Sequence, residues 1–398
     1  MKKHPYLYFT ILVLVATPFV LRYLWNSKEP YQLNVLVIDK TVLEPNRQEH
    51  TPLFWILENE KFVKKGNLPY DKNSDYYGFF PDGKGNFTVK DFANYSDSAL
   101  SVLANKYDMA YYTDLYGVYT GEWYELYPNE ERHNPKMSSL EPSDLIYGGM
   151  SMAEVRLLKK MKEQGKLIIT EFNVIGTPTP TSVAREFEKE FKMSWQGWVG
   201  RYYSSLDTNE NKELPIWLKK NYTKQNGGKW PFKEPGIIFV RTDEKIVILE
   251  KKTHLNLDVP LIETNPKFRD RYDLPKNMKF HYWFDIISAS DSLDVLATYK
   301  IDVNAEGQKI LEKNFIPTHF PAAVKTKNRN FDFYYFAGDF SDIDISMYNT
   351  KFAGVASFNQ SVVRIEGEGR SAFFWRFYRP LVGSILDEYN AKIAAKKN

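Results

Sequence analysis

The chain has 398 residues, with 53 basic and 50 acidic side chains for a formal net charge of +3, and no cysteine. That balance supplies no basic face for nucleic acid. The missing thiol excludes disulfides, thiolate metal sites, a lipoprotein anchor and a cysteine nucleophile. Hydrophobic residues at 43% and charged residues at 26% suit a globular chain of one large or two ordinary domains.

The first element is an uncharged run. Residues Tyr6 to Trp25 carry LYFTILVLVATPFVL, preceded by Lys2, Lys3 and His4 and closed by Arg22. Roughly 20 apolar residues cross a bilayer core. Arg22 can snorkel to the interface, and Tyr23 and Trp25 suit the headgroup level. The run is apolar all round, which argues against a surface helix of a soluble protein. A cleaved signal peptide is the rival reading, but no A-x-A site follows the run. Residues 1–5 therefore read as a cytoplasmic tail, 6–25 as a signal anchor and 26–31 as a linker. The remainder, 32–398, reads as an extracytoplasmic α/β domain with a β-rich insertion at about 195–265. The bilayer is the expected partner of residues 6–25, at the cytoplasmic membrane in a single pass.

Leu33 to Ile38 is a near-continuous apolar strand ending at Asp39, as in a central parallel strand. A helix is expected from His50 to Lys64, an irregular loop from Pro69 to Gly85, and a second helix through Ala99 to Ala104. Tyr107 to Thr113 reads as another strand, with Asp114 just past its end.

Asp144 to Asn173 is the most informative stretch. A short apolar run, Asp144 to Tyr147, meets Gly148-Gly149. Ser151 and Glu154 then form the S-x-x-E capping box. Met152, Val155, Leu158 and Met161 recur at helical spacing, and Gly165 ends the helix. Lys166 to Thr170 follows as a buried strand. Strand, helix and strand on short connections predict a βαβ unit in a parallel sheet. Ligands of such sheets bind beyond the carboxyl ends of the strands, which places Gly148, Gly149, Glu171, Phe172 and Asn173 at a candidate site.

Further on, the residues around Val183 to Phe191 read as a helix, Gln196 to Tyr203 and Leu214 to Lys233 as irregular, and Gly236 to Leu249 as a β-hairpin. Phe280 to Ile287, Leu293 to Tyr299 and Phe331 to Phe336 read as strands, and Phe373 to Ala395 as a closing helix.

Four strand ends carry carboxylates: Asp39, Asp114, Glu171 and Asp339. If their strands are parallel neighbours, the four line one crevice, and a pair in unlike environments can do general acid–base work. Arg201, Arg376 and Arg379 sit among aromatics, and pairing with a strand-end aspartate is the expected structural role. The six histidines show no metal spacing, and neither a G-x-S-x-G elbow nor a phosphate-binding glycine loop occurs. No metal or other cofactor is expected.

The run DLIYGG, helix, KLIIT and sharp turn resembles the core of the class I glutamine amidotransferase-like superfamily over about residues 33–192. There a strand ends in a double glycine, a helix follows, and the next strand delivers a nucleophilic cysteine at an elbow. Here the elbow is Thr170-Glu171-Phe172-Asn173, and His319-Phe320-Pro321 departs from the family's histidine–proline–glutamate pattern. Without a thiol, glutamine hydrolysis by thiolate attack is excluded. The late segment Phe320 to Ala323 and FDFYYFAGDFSD is similar to the closing strand of secreted or membrane-associated bacterial members that are not amidotransferases.

The resemblance implies an α/β domain with a mostly parallel sheet flanked by helices. It also implies a non-catalytic binding or scaffolding module, a pseudoenzyme of the cell envelope. Its cleft is expected to use Asp39, Asp114, Tyr116, Gly148, Gly149, Glu171, Asn173 and Arg201 for an envelope glycan or a membrane protein partner. The alternative is a glycan-directed hydrolase in which Glu171 works with Asp114 or Asp339.

Overall fold

The computed structural model describes residues 5–128, 143–328, 330–366 and 369–397. The N-terminal lysines that set the expected orientation of the anchor lie outside the described residues, as does His133.

The chain opens with helix α1 (Pro5–Ser27), whose Tyr8–Ser27 stretch is long and apolar enough to cross a membrane. Then follow β1 (Val35–Asp39), α2 (Thr51–Asn59), β2 (Tyr77–Pro81), β3 (Phe87–Lys90), α3 (Asp97–Lys106) and β4 (Met109–Tyr112). Next come α4 (Met152–Glu163), β5 (Leu167–Thr170), α5 (Thr181–Phe191), β6 (Met193–Tyr203) and α6 (Ile216–Gln225). The second half adds β7 (Gly236–Arg241), β8 (Ile246–Glu250), β9 (Leu261–Thr264), β10 (Asn277–Lys279), β11 (Trp283–Ala289) and β12 (Leu293–Lys300). It closes with β13 (His319–Thr326), β14 (Asp332–Phe336), α7 (Val355–Glu366) and α8 (Arg379–Lys397).

A ten-stranded sheet runs β10-β9-β12-β13-β14-β5-β4-β1-β2-β3. Strands β14, β5, β4, β1 and β2 are mutually parallel, whereas β3 and the β13–β10 flank are antiparallel. The sheet is therefore mixed, which corrects the expectation of a mostly parallel one. The cause is connection length. Only Lys327 to Phe331 separates β13 from β14, too short for a parallel crossover. The central strands β1, β4 and β5 are buried along their whole length, which explains their unbroken apolar runs.

The expected βαβ unit is built differently. Leu145–Tyr147 stays out of the large sheet and pairs antiparallel with Val118–Tyr119. The strand before α4 in the large sheet is β4, so a longer connection replaces the short one. Helix α4 itself starts as expected, with the Ser151–Glu154 capping box formed and Gly165 at φ +71° just beyond its end.

A second sheet, β8-β7-β6-β11, carries the Gln196–Tyr203 stretch that the sequence left irregular. Its strands come from 193–250 and 283–289, while β9 belongs to the large sheet. The sheets meet where the Asp285 amide donates to the Ala337 carbonyl (3.0 Å) and the Asp339 amide to the Trp283 carbonyl (2.9 Å).

Helix α1 is fastened to the domain. The Trp25 indole donates to the Asn59 carbonyl (3.0 Å), and the Ala353 amide to the Leu21 carbonyl (3.1 Å). Lys28 pairs with Glu60 at 2.8 Å.

Candidate functional site

The four strands that end in Asp39, Asp114, Glu171 and Asp339 are adjacent, in the order β14-β5-β4-β1. All four carboxylates therefore gather at one end of the sheet. All four residues are buried: Asp39 at 0%, Glu171 at 1%, and Asp114 and Asp339 at 7% exposure. After β2 and β3 the chain crosses back over β1 to form β4, so the sheet's topological switch point lies between Asp39 and Asp114.

Two acids that the sequence reading did not select complete the group. Asp339 feels the charges of Asp342, Asp114 and Glu171, and Glu49 those of Asp339, Asp342, Asp114 and Asp39. Asp342 lies three residues past Asp339 in the segment AGDFSD, so its spacing was a usable signal. Glu49 carries no such mark. It is placed by the turn that starts α2, where its carbonyl accepts from the Thr113 hydroxyl (3.1 Å). That hydroxyl also bonds Ser341 (2.9 Å), tying the ends of β4 and β14 together.

Burial is the first cause of the perturbed acidities. It lifts Asp114 to about 8, with the backbone amide of Tyr116 opposing and Asp39 reinforcing. It lifts Glu171 to about 7 against a hydrogen bond from Tyr111. Asp339 and Glu49 are pushed well above the carboxylate range by burial and then by neighbouring acids, with Arg201 acting weakly in the other direction on Asp339. Near neutral pH the cluster therefore holds protons, and acid and carboxylate forms coexist in it.

Each carboxyl has its own fittings. Asp39 bonds the His50 imidazole Nδ1 (2.7 Å), and both side chains are fully buried. The other ring nitrogen faces the Lys72 carbonyl (2.8 Å), which can only accept. Nε2 therefore donates, and one proton is left between Nδ1 and Asp39. Tyr111 donates to Glu171 Oε1 (2.6 Å), and its oxygen also bonds the Tyr378 hydroxyl (2.7 Å). Tyr378 belongs to a π-helical turn, Phe374–Tyr378, that interrupts the expected continuous C-terminal helix. Glu171 Oε2 and Glu49 Oε2 are buried without a hydrogen-bond partner.

The elbow after β5 is present. Asn173 is left-handed at φ +64°, and its amide donates to Asp285 Oδ2 (3.2 Å). Asp285, fully buried on β11, is raised to about 6 by burial against a hydrogen bond from Tyr335. A lone acid within the apolar run WFDII was the sequence signal for it.

The glycines serve backbone packing. A Cβ on Gly148 would lie 2.5 Å from the Tyr116 carbonyl oxygen, and Gly149 sits at φ +72° against Pro178. Lys40, directly after Asp39, reaches the Gly149 carbonyl (2.7 Å) and Glu154 (2.8 Å), with both side chains almost fully buried. Glu154 thus caps α4 and pins it to the end of β1.

Arg201 pairs with Glu213 (2.9 Å) and lies over Tyr203 and Trp283. Arg379 pairs with Glu60, far from the strand ends. Tyr116 is 38% exposed, stands beside Asp114 through its amide (2.7 Å) and packs on Tyr119. Outside β1, the loop 41–49 lines a cavity of about 180 Å³ that includes Thr41, Arg47 and Glu49. Among the described residues, no group of three or more His, Asp or Glu could hold a metal ion.

No family model and no curated protein matches the chain. Solved structures with likeness include a ThuA-like protein from Bacteroides uniformis, at 12% identity and TM-score 0.33, covering 82% of this chain and 89% of that one. A β-galactosidase from Bacillus circulans sp. alkalophilus aligns at 12% identity and TM-score 0.33 over 78% of this chain. A carbohydrate deacetylase, Agd3, aligns at 9% identity and TM-score 0.30 over 78% of this chain. The chain spans 30% of the length of each of the last two. At such identities, activity has to be argued from the residues themselves.

Proposed function

We propose that the chain is a membrane-anchored binding protein of the bacterial cell envelope, with α1 as its anchor and its main domain outside the cytoplasmic membrane. Its ligand occupies the crevice beyond β1, β4, β5 and β14. The observation that carries this reading is the gathering of six carboxyls at the switch point, beside the loop 41–49 cavity. Carboxyls that hold protons donate hydrogen bonds, and those that do not accept them. Such a mixture matches the hydroxyls of a glycan, and the partly exposed Tyr116 ring beside Asp114 offers a stacking face. A glycan array probed with the full chain in detergent tests the reading. Binding to envelope-type oligosaccharides is expected, with a loss of tenfold or more in Asp114→Asn and Tyr116→Ala. Unchanged binding in both variants would refute the site.

One observation favours hydrolysis as a second reading. Glu171 near 7 and Asp114 near 8 lie in the range suited to a general acid. In that case Glu171→Gln abolishes turnover of a bound glycan while retaining binding. Turnover at the full rate in that variant would remove Glu171 from the chemistry.

A further inference from the structure

The joint between α1 and the domain fixes more than the anchor. The Ala353 amide bonds the Leu21 carbonyl (3.1 Å), and the Arg22 guanidinium reaches the Lys351 carbonyl (3.4 Å). Leu21 is six residues before Ser27, the end of the apolar stretch, so the contact lies about 9 Å inside that end at about 1.5 Å per residue. Segment 350–353 is itself held to the domain. Asn59 donates to the Thr350 carbonyl (2.6 Å), Trp55 to Asn349 (3.0 Å), and Lys351 pairs with Glu58 (3.0 Å).

Two large aromatics flank segment 350–353 along the chain and stand exposed. Tyr348 is 96% exposed and Phe358, in the first turn of α7, is 67% exposed. Val362, one turn after Phe358, is partly exposed on the same stripe. Exposed aromatic rings beside the end of an apolar helix match the chemistry of the bilayer interface, where an apolar body and a polar rim are both satisfied.

We propose that Tyr348 and the Phe358 face of α7 insert into the headgroup region of the bilayer that α1 spans. The domain is thereby a docked body at the membrane surface, not a tethered one. This rests on the reading of α1 as a membrane anchor.

The absence of cysteine allows single labels without background. Full-length chains carrying Tyr348→Cys, Phe358→Cys, Val13→Cys or Lys229→Cys are nitroxide-labelled in phosphatidylglycerol–phosphatidylcholine nanodiscs. Accessibility to oxygen and to a water-soluble nickel chelate is then measured. Expected is a lipid signature at Val13, an aqueous one at Lys229, and an interfacial oxygen-favoured one at both 348 and 358. A lipid signature at Val13 with aqueous signatures at 348 and 358 overturns the docking and leaves the anchor standing. An aqueous signature at Val13 overturns both.

Discussion

Replacing Glu171 by glutamine is expected to flatten the pH dependence of folding stability. In the fold the carboxyl titrates near 7, against an ordinary value of 4.5, because it is fully buried. Between those values the folded state retains a proton that the unfolded chain has lost. The contribution of this group to stability is therefore greatest in acid and declines as pH rises, levelling off once the folded form also ionises. At about 1.4 kcal/mol per pH unit, the decline attributable to this group is about 3 kcal/mol between roughly pH 4.5 and 7. Asp114, raised to about 8, adds a decline of the same sign that reaches one pH unit higher. Glutamine keeps an oxygen for the Tyr111 hydroxyl and cannot ionise. Guanidinium unfolding of the full chain in detergent, at pH 5 and pH 8, reads the effect. Wild type is expected to be the less stable at pH 8, and Glu171→Gln to recover about 3 kcal/mol there relative to wild type. A wild-type stability that rises from pH 5 to 8, or a variant with the same decline, would refute the reasoning.

Other consequences follow from single contacts. Lys40→Met leaves the buried Glu154 carboxylate without its cation, so a cost of about 3–5 kcal/mol is expected, read as a lower denaturation midpoint. Gly117→Ala forces a Cβ to 2.1 Å from the Tyr147 carbonyl at a φ of +97°, and should cost about 2 kcal/mol or more in the same assay. His50→Ala strands the fully buried Asp39 carboxyl without its imidazole partner, so a cost of about 3–5 kcal/mol is expected in the same assay. Removal of residues 1–27 should move the protein from the membrane to the soluble fraction, as read by fractionation.

The sequence was most legible where one local rule decided the outcome. Ser151 and Glu154 announced the start of α4, and the alternation-free runs at Val35, Met109 and Leu167 announced central strands. The strand-end acids were visible for the same reason, since a single charge closes each apolar run. Their convergence was not, because strand order is set by long-range pairing. Leu145–Tyr147 misled because three apolar residues before a double glycine look alike in a central strand and in a peripheral hairpin. β6 was missed because Gly197 and Gly200 dilute its strand pattern, yet Gly200 is required where the Phe284 ring approaches to 2.3 Å of a built Cβ. His50 and Tyr378 were unreadable. His50 meets Asp39 from the turn that starts α2 and Tyr378 meets the Tyr111 hydroxyl from the C-terminal segment, and nothing in the flanking residues marks either contact.

In the proposed function, ligand sits beyond the strand ends that carry the carboxyl cluster. Photo-crosslinking of a diazirine-bearing peptidoglycan oligosaccharide to the full chain in nanodiscs, mapped by peptide mass spectrometry, tests it most directly. Labels are expected in the 41–49 loop and at Asp114 to Tyr119, competed away by unmodified glycan. Competable labels confined to other surfaces would contradict it.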